Sequence, residues 1–140
     1  PRNCAEAYVK DIGLVAVEGG WEIYVGGAAG SSVRKGDLLA SVTTGDEAIR
    51  LALVFLQHYR EQGDYLERTY TYVERVGIAA VREVVLDPQR QEELLERYRI
   101  AKAAADPDPW RERHEPAVPR QFEELDPVTP IDAALEGARR

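Results

Sequence analysis

The sequence predicts an α+β fold, in which a small antiparallel sheet near the N-terminus is packed by several helices that follow it. Short runs of aliphatic and β-branched residues, separated by glycines, fill residues 12–42 and are typical of short strands joined by turns. Longer segments with apolar residues at helical spacing follow over residues 46–104. From residue 106 onward the sequence places six of its eight prolines in a polar setting. We therefore expect one domain over residues 1–105 and an extended or poorly ordered, irregular tail over residues 106–140.

The N-terminal elements centre on a predicted β-hairpin. Residues 12–18 are aliphatic and β-branched, Gly19-Gly20 supplies a tight turn, and residues 21–25 alternate into a second strand. Around this hairpin the sequence predicts a helical turn at residues 4–10, a loop of small residues at 26–37, and a strand or extended connector at 38–42. The helical turn would point its backbone amides at the Cys4 thiol and stabilise the thiolate.

The second half of the chain predicts four helices. The first has clear signals, because Thr44 can cap its start and Gly63 ends it. Asp46 and Glu47 complement the positive end of its dipole. Its apolar side is expected to carry Ile49, Leu53, Leu56 and Tyr59. Leu51, Val54 and Phe55 widen this apolar surface, so most of the circumference of the helix is expected to be buried. The predicted helices cover residues 46–62, 65–75, 78–86 and 88–104, with a break at Gly77 between the second and the third.

Composition excludes several classes of function. The net charge of −7 argues against nucleic acid as the main partner, because binding to phosphates needs a basic surface. No apolar run approaches the roughly 18 residues that a membrane-spanning helix needs. No basic segment followed by an apolar stretch opens the sequence, so we do not expect a secretory signal in it. We expect neither nucleic acid nor a membrane as a partner.

The chain has one cysteine, Cys4. One cysteine excludes an internal disulfide framework and suits a reducing compartment, so we expect a cytoplasmic protein. It also excludes a metal centre of four thiolates built from this chain alone. A buried, inert thiol is the commoner fate of a lone cysteine.

The first seven residues, Pro-Arg-Asn-Cys-Ala-Glu-Ala, carry a family resemblance. They are followed by VKDIGLV at residues 9–15 and by EGGWEIYVGG at residues 18–27. This order resembles the siroheme domain of the large subunit of NAD(P)H-dependent assimilatory nitrite reductases. The resemblance extends over roughly residues 1–110, as far as the segment around Trp110.

The resemblance implies a cofactor site at Cys4. In the family, two of the four thiolates of a [4Fe–4S] cluster come from a Cys-x-x-x-Cys run, so a cysteine is expected immediately before Pro1. Cys4 would then be the metal ligand that also bridges the cluster to the siroheme iron. The enzyme reduces nitrite to ammonia with six electrons, and its FAD and NAD(P)H regions are expected upstream, with a small subunit as a possible partner. The chain alone is expected to lack both cofactors and to be inactive.

Six further residues are candidates for cofactor binding. Arg2 and Asn3 adjoin Cys4, the first as a cation near the cofactor and the second as a hydrogen-bonding group. Arg34 and Lys35 could meet the carboxylates of siroheme, although a solvated pair of loop cations explains them equally well. On local sequence, Gly26-Gly27 is best explained as part of a connector. The resemblance implies that the backbone of this turn approaches siroheme.

Two alternatives remain open. A siroheme sulfite reductase uses the same cofactors, but the glycine-rich run and the Pro-Arg-Asn segment are closer to the nitrite enzymes. A helical interaction module without a cofactor is the alternative from another class, and Cys4 distinguishes it, because such a module could bury the thiol. His58 and His114 have no ligand partner at metal spacing, so both are expected to be structural or exposed.

Overall fold

The computed structural model describes residues 4–106 and 109–115, and it has the predicted α+β architecture. The chain divides into two compact units, residues 1–104 and 105–140. Five strands and five α-helices are described: β1 (Ile12–Val17), β2 (Gly20–Val25), β3 (Ala28–Ala29), β4 (Val33–Arg34), β5 (Asp37–Val42), α1 (Gly45–Gln62), α2 (Thr69–Val76), α3 (Ile78–Val85), α4 (Pro88–Ala105) and α5 (Pro109–His114). No helix of the described residues is long and apolar enough to cross a membrane.

The main sheet has the antiparallel order β1-β2-β5, which confirms the predicted hairpin and makes residues 38–42 a strand rather than a connector. Val17 pairs with Gly20, so two residues close the turn, and Gly19 adopts a φ of +84° there. A Cβ on Gly20 would lie 2.1 Å from the Val42 carbonyl oxygen, which restricts that position to glycine. The predicted loop at 26–37 contains a small β3-β4 pair.

The hydrophobic core lies between this sheet and the helices, because the inward side chains of β2 and β5 meet the apolar sides of α1 to α4. The fully buried aromatic residues at its centre are Phe55 of α1 and Tyr72 of α2. The core residues are Ile23, Val25, Leu39, Ala48, Leu51, Val54, Phe55, Tyr72, Val73, Val81, Val85, Leu94 and Leu95.

Helix α1 begins as predicted, and most of its predicted apolar surface meets the core. Thr44 and Glu47 form a reciprocal capping box, and Gly63 follows the last turn. Its buried side carries Ala48, Leu51, Val54, Phe55 and His58 at helical spacing. The predicted inward position of Ile49 is wrong, because 53% of this residue is exposed. Leu53 and Tyr59 are partly buried and pack against the core, as predicted.

Helix α2 begins at Thr69, four residues later than predicted. The preceding residues form a turn in which Leu66 adopts a left-handed φ of +61°, a conformation that helices exclude. Glu67 closes this turn, accepting hydrogen bonds from the Asp64 amide at 2.9 Å and from Arg75 Nη2 at 2.6 Å. The hydrogen bonds from Arg75 contribute most to lowering the pKa of Glu67 to about 2. The predicted break at Gly77 is confirmed, with a φ of +85°.

Two other predicted segments differ from the structure. The helical turn expected over residues 4–10 is a short 3-10 turn at Ala7–Val9, preceded by Glu6 in a left-handed conformation. No helix therefore begins at Cys4 to direct its amides at the thiol. Within the expected extended tail, residues 109–114 form α5, for which Pro109 is a favourable first residue. Residues 107–108 and 116–140 of the predicted tail lie outside the described residues.

Candidate cofactor site at the lone cysteine

Cys4 is an exposed, free thiol on the turn that precedes the 3-10 segment. The interpretation of Cys4 as a buried, inert thiol is therefore wrong. Nearby, Lys10 Nζ lies 3.3 Å from Glu6 Oε2 in an exposed ion pair. Arg2 and Asn3 lie outside the described residues.

Three backbone hydrogen bonds hold the segment after Cys4 against the loop that begins at Gly26. The Gly26 amide donates to the Asp11 carbonyl at 3.0 Å, and the Gly27 amide donates to the Lys10 carbonyl at 3.0 Å. The Gly36 amide donates to the Tyr8 carbonyl at 2.7 Å. The fold thus places the segment that follows Cys4 beside the predicted Gly26-Gly27 turn.

Both glycines of this turn are required by close contacts. Gly26 has a φ of +72°, and a Cβ there would lie 3.0 Å from the Val73 side chain. A Cβ on Gly27 would lie 2.5 Å from the Lys10 carbonyl oxygen. Glycine at these positions therefore lets the N-terminal segment pack closely. A backbone contact with siroheme stays a prediction.

Arg34 is held by partners within the fold. Its Nε donates to Glu74 at 2.8 Å, its Nη2 to Asp37 at 2.7 Å and its Nη1 to the Gly26 carbonyl at 2.5 Å. Burial by itself would lower the pKa of Arg34, but the hydrogen bonds and charges of Asp37 and then Glu74 raise it overall. The guanidinium therefore clamps the loop at 26–37 onto α2. To bind siroheme carboxylates as predicted, Arg34 would have to use N–H donors that already bind Glu74, Asp37 and the Gly26 carbonyl.

Lys35 has a different environment. Its Nζ lies 4.8 Å from the ring centroid of Tyr8 and 5.3 Å from that of Tyr24. These two rings make an edge-to-face contact at 4.8 Å. Within residues 4–106 and 109–115, no carboxylate lies within ion-pair distance of the ammonium group. Its charge is therefore available to an anion, and Tyr8 places it close to the segment that carries Cys4.

Part of this loop lines a cleft that the sequence did not indicate. It has a volume of about 260 Å³ and is lined by residues 28–32 together with Arg68 and Tyr70. Arg68 Nη2 contacts the two carboxylate oxygens of Asp11 at 3.1 and 3.3 Å. Arg68 stands 57 residues from Asp11 in the chain, so no local pattern in the sequence could have joined them.

The sequence of this region matches a known family. Residues 1–93 match the family model described as the nitrite and sulphite reductase 4Fe-4S domain. The chain belongs to this family. The match includes Cys4, the hairpin, the Gly26-Gly27 turn and Arg68, so it covers every residue of the candidate site.

Curated relatives of this 4Fe-4S domain include nitrite and sulfite reductases. The chain is 46% identical over 112 residues to a nitrite reductase [NAD(P)H] of Bacillus subtilis, which covers 80% of the chain and 14% of that relative. It is 36% identical over 88 residues to the nitrite reductase (NADH) large subunit of Escherichia coli, covering 61% of the chain and 10% of the relative. An assimilatory-type sulfite reductase of Nitratidesulfovibrio vulgaris is 41% identical over 86 residues, covering 61% of the chain and 39% of the relative.

The chain thus spans a minor part of each of these relatives. No solved structure gave a significant match.

This chain can supply part of the ligand set of an iron–sulfur cluster. Cluster iron is held by cysteine thiolates, and Cys4 offers one exposed thiol. Among the described residues, no group of three or more His, Cys, Asp or Glu side chains is arranged to hold a metal ion. With one cysteine in its 140 residues, this chain can supply one thiolate and not a complete set of ligands.

His58 belongs to the core rather than to this site. It is 9% exposed, and its Nε2 lies 2.9 Å from the Tyr72 hydroxyl. Burial lowers the pKa of His58, although the charge of Glu61 opposes the shift. A cleft of about 320 Å³ borders the ring, lined in part by Arg90 and Arg97. The structural role expected for His58 is confirmed.

Proposed function

We propose that this chain is the part of an NAD(P)H-dependent nitrite reductase in which Cys4 ligates a [4Fe–4S] cluster and bridges it to siroheme. The single observation that carries the proposal is the family match over residues 1–93, which includes the Cys4 segment. The identity of 46% with a nitrite reductase [NAD(P)H] supports nitrite as the substrate. When bound, the two cofactors would pass six electrons from NAD(P)H to nitrite, which with protons from water would give ammonia and release both oxygens as water.

The residues of this chain position the thiolate rather than perform the reduction. Cys4 would contribute one ligand, and cysteines outside this chain would contribute the other three. The hydrogen bonds of Tyr8, Lys10 and Asp11 to the glycine turns fix the segment that carries the thiol. A ligand that is held in place before the cluster binds loses less conformational entropy on binding.

The neighbouring candidates take secondary roles. Lys35 presents an ammonium group with no carboxylate near it in the described part of the chain, which suits an anionic cofactor edge. Arg2 and Asn3 flank Cys4 in the sequence, and we keep them as candidate contacts. Gly26-Gly27 would offer main-chain atoms, and Arg34 would hold the loop in shape.

The complete enzyme would draw electrons from NAD(P)H through a flavin region outside this chain, with a small subunit as a possible partner. The chain alone should be inactive, because it lacks three cluster ligands and the sites of electron entry. We place the enzyme in the cytoplasm, where cluster thiols stay reduced.

Replacing the cysteine tests the ligand role. In the complete enzyme we expect Cys4→Ala to lose most of its cluster, measured as iron and acid-labile sulfide per polypeptide. Lys102→Ala, an exposed change on α4, serves as the control and should retain both. Full cluster content in Cys4→Ala would refute the ligand role.

A sulfite reductase is the second candidate, because an assimilatory-type sulfite reductase also matches at 41% identity. Comparing kcat/KM for nitrite and for sulfite in the complete enzyme separates the two functions. We expect a strong preference for nitrite, and a preference for sulfite would overturn the choice of substrate.

A further inference from the structure

The carboxylate of Asp11 joins the segment that follows Cys4 to the beginning of α2. The Thr69 hydroxyl donates to Asp11 Oδ1 at 2.5 Å. Arg68 Nη2 donates to Oδ2 at 3.1 Å and to Oδ1 at 3.3 Å. The backbone of Asp11 is held as well, because its carbonyl accepts from the Gly26 amide at 3.0 Å. Asp11 therefore ties the segment to α2 with its side chain and to the glycine turn with its main chain.

Helix α2 is a firm anchor for this contact. Tyr72 and Val73 of α2 are fully buried in the hydrophobic core. Thr69, the first residue of the helix, is itself buried, with 6% of its surface exposed. Because protein interiors are close-packed, the Thr69 hydroxyl cannot shift without moving its neighbours. The core therefore sets the position of the Asp11 carboxylate.

The charge of Asp11 also fits the beginning of α2. In the part of the chain that the structure describes, Arg68 forms no side-chain cap before this helix, and the first turn holds no acidic residue. The helix dipole favours a negative charge at this end, and Asp11 brings one from 58 residues away. The helix thus obtains from the segment after Cys4 a group that its own first turn lacks.

The two side-chain contacts of Asp11 differ in strength. In the ion pair with Arg68, 67% of the Arg68 side chain and 48% of the Asp11 side chain are exposed, and exposed ion pairs contribute little to stability. The hydrogen bond from Thr69 joins a buried residue to a charged acceptor, which makes it the stronger contact. The hold on the segment therefore depends mainly on Thr69 and Asp11.

A cluster ligand needs a more exact position than a stable fold does. Replacing a group that orients a metal ligand typically lowers metal affinity by about 10–100-fold. Cys4 is exposed, so the packing of its own side chain does little to fix it. Its position depends on how the segment that follows it is held.

We propose that Asp11 is a positioning residue for Cys4 and acts through its hydrogen bond with Thr69. The carboxylate fixes the segment that carries the thiol relative to α2, so that the thiol takes the same position in every molecule. Asp11 contacts neither cofactor and takes no part in the reduction. The inference rests on the proposed function, because it needs Cys4 to be a cluster ligand.

The release of cluster iron to a chelator, measured on the complete enzyme, tests this role without a measurement of activity. We expect Asp11→Ala to release iron about 10–100-fold faster than wild type, because a loosely held thiolate leaves the iron more often. Asp11→Asn keeps an oxygen that accepts from the Thr69 hydroxyl, so it should release iron at nearly the wild-type rate. A wild-type rate in Asp11→Ala would overturn the proposal, and so would a rate in Asp11→Asn as fast as that of Asp11→Ala.

Glu92→Ala is the matched control. Glu92 of α4 accepts from Arg50 Nη2 of α1 at 2.6 Å, so it also joins two elements through a partly exposed ion pair. We expect Glu92→Ala to release iron at the wild-type rate. If Glu92→Ala and Asp11→Ala accelerated the release equally, a general loss of stability would explain both, and the proposal would fail.

Thr69→Val tests the same contact from its other side and keeps the proposal testable if Asp11→Ala does not fold. Valine is close to threonine in size but lacks the hydroxyl. We expect Thr69→Val to accelerate iron release as much as Asp11→Ala does, and the double variant to be no faster than either, because the two residues act through one contact. Additive effects would contradict the proposed pairing.

A spectroscopic measurement separates position from stability. In Mössbauer spectra of ⁵⁷Fe-enriched Asp11→Ala, recorded while both cofactors are bound, we expect part of the siroheme iron to lose its magnetic coupling to the cluster. Asp11→Asn should keep the coupling of wild type. Complete coupling in Asp11→Ala would overturn the proposal.

These outcomes are distinct from those of the proposed function. A Cys4→Ala enzyme with its full cluster would refute the proposed function, whatever the Asp11 variants do. Cluster loss in Cys4→Ala together with wild-type iron release in Asp11→Ala would refute the positioning role alone.

Discussion

Gly27 packs against the backbone of the segment that follows Cys4, and the contact leaves no room for a side chain. A Cβ at this position would lie 2.5 Å from the Lys10 carbonyl oxygen and 2.8 Å from the Val9 carbonyl carbon. Both atoms belong to the segment that carries Cys4. A side chain at Gly27 would therefore move this segment as well as strain the loop.

We expect Gly27→Ala to destabilise the chain by about 1–3 kcal/mol, the usual cost of overpacking a tight contact. Gly30→Ala is the matched control in the same loop, because a Cβ there meets nothing within 4 Å. Urea unfolding of both variants measures the difference. Equal stability of the two would contradict the close approach between the glycine turn and the N-terminal segment.

His58 makes stability depend on pH near neutrality. Burial lowers its pKa below the ordinary value of 6.5 in the folded chain, while the charge of Glu61 raises it and that of Arg90 lowers it further. The unfolded chain therefore takes up the proton first as the pH falls. The contribution of neutral His58 to the free energy of unfolding is therefore fully present above about pH 6.5. It declines as the pH falls from there towards the lower pKa of the folded state.

Replacing His58 should reduce this dependence. We expect the free energy of unfolding of wild type to fall more between about pH 7.5 and pH 5.5 than that of His58→Gln, because glutamine does not titrate. The comparison uses the change with pH, since the variant also alters the hydrogen bond to Tyr72. Parallel pH profiles would show that His58 does not cause the loss.

The loop at 26–37 owes its position to one side chain. Arg34 joins it to α2 through Glu74 and to the start of β5 through Asp37, while also binding the Gly26 carbonyl. Because the Arg34 side chain is 22% exposed, these hydrogen bonds are partly shielded from water. Arg34 therefore links the loop, β5 and α2 to one another.

Removing this clamp should loosen the loop. We expect Arg34→Gln to cost about 1.5–3 kcal/mol in the free energy of unfolding, the range for hydrogen bonds to charged groups. Arg99→Gln provides the control, since Arg99 makes an exposed ion pair with Glu96, and such pairs contribute about 0–1 kcal/mol. A loss no larger than that of the control would mean that Arg34 is not a clamp.

For the whole molecule, the features that could be predicted from the sequence are those set by neighbouring residues. The hairpin, the Thr44 cap and the break at Gly77 each follow from a few adjacent residues, and the structure confirms all three. The family resemblance likewise depends on contiguous motifs, and the family model confirms it.

The remaining features depend on residues far apart in the chain. Arg34 finds Glu74 at a separation of 40 residues, and nothing near Arg34 in the sequence indicates that partner. Ile49 turns outward because the sheet chooses among several apolar sides of α1. The left-handed Leu66 delays α2, and a leucine gives no local signal for that conformation. Tertiary packing decides such positions.

The central claim is that Cys4 bridges a [4Fe–4S] cluster to siroheme, and Mössbauer spectroscopy of the ⁵⁷Fe-enriched complete enzyme tests it most directly. In the wild-type enzyme we expect the iron of siroheme to share magnetic coupling with the cluster, because one thiolate joins them. In Cys4→Ala we expect any siroheme that remains bound to give the spectrum of an isolated iron centre. A Cys4→Ala enzyme in which the coupling persists would contradict the account.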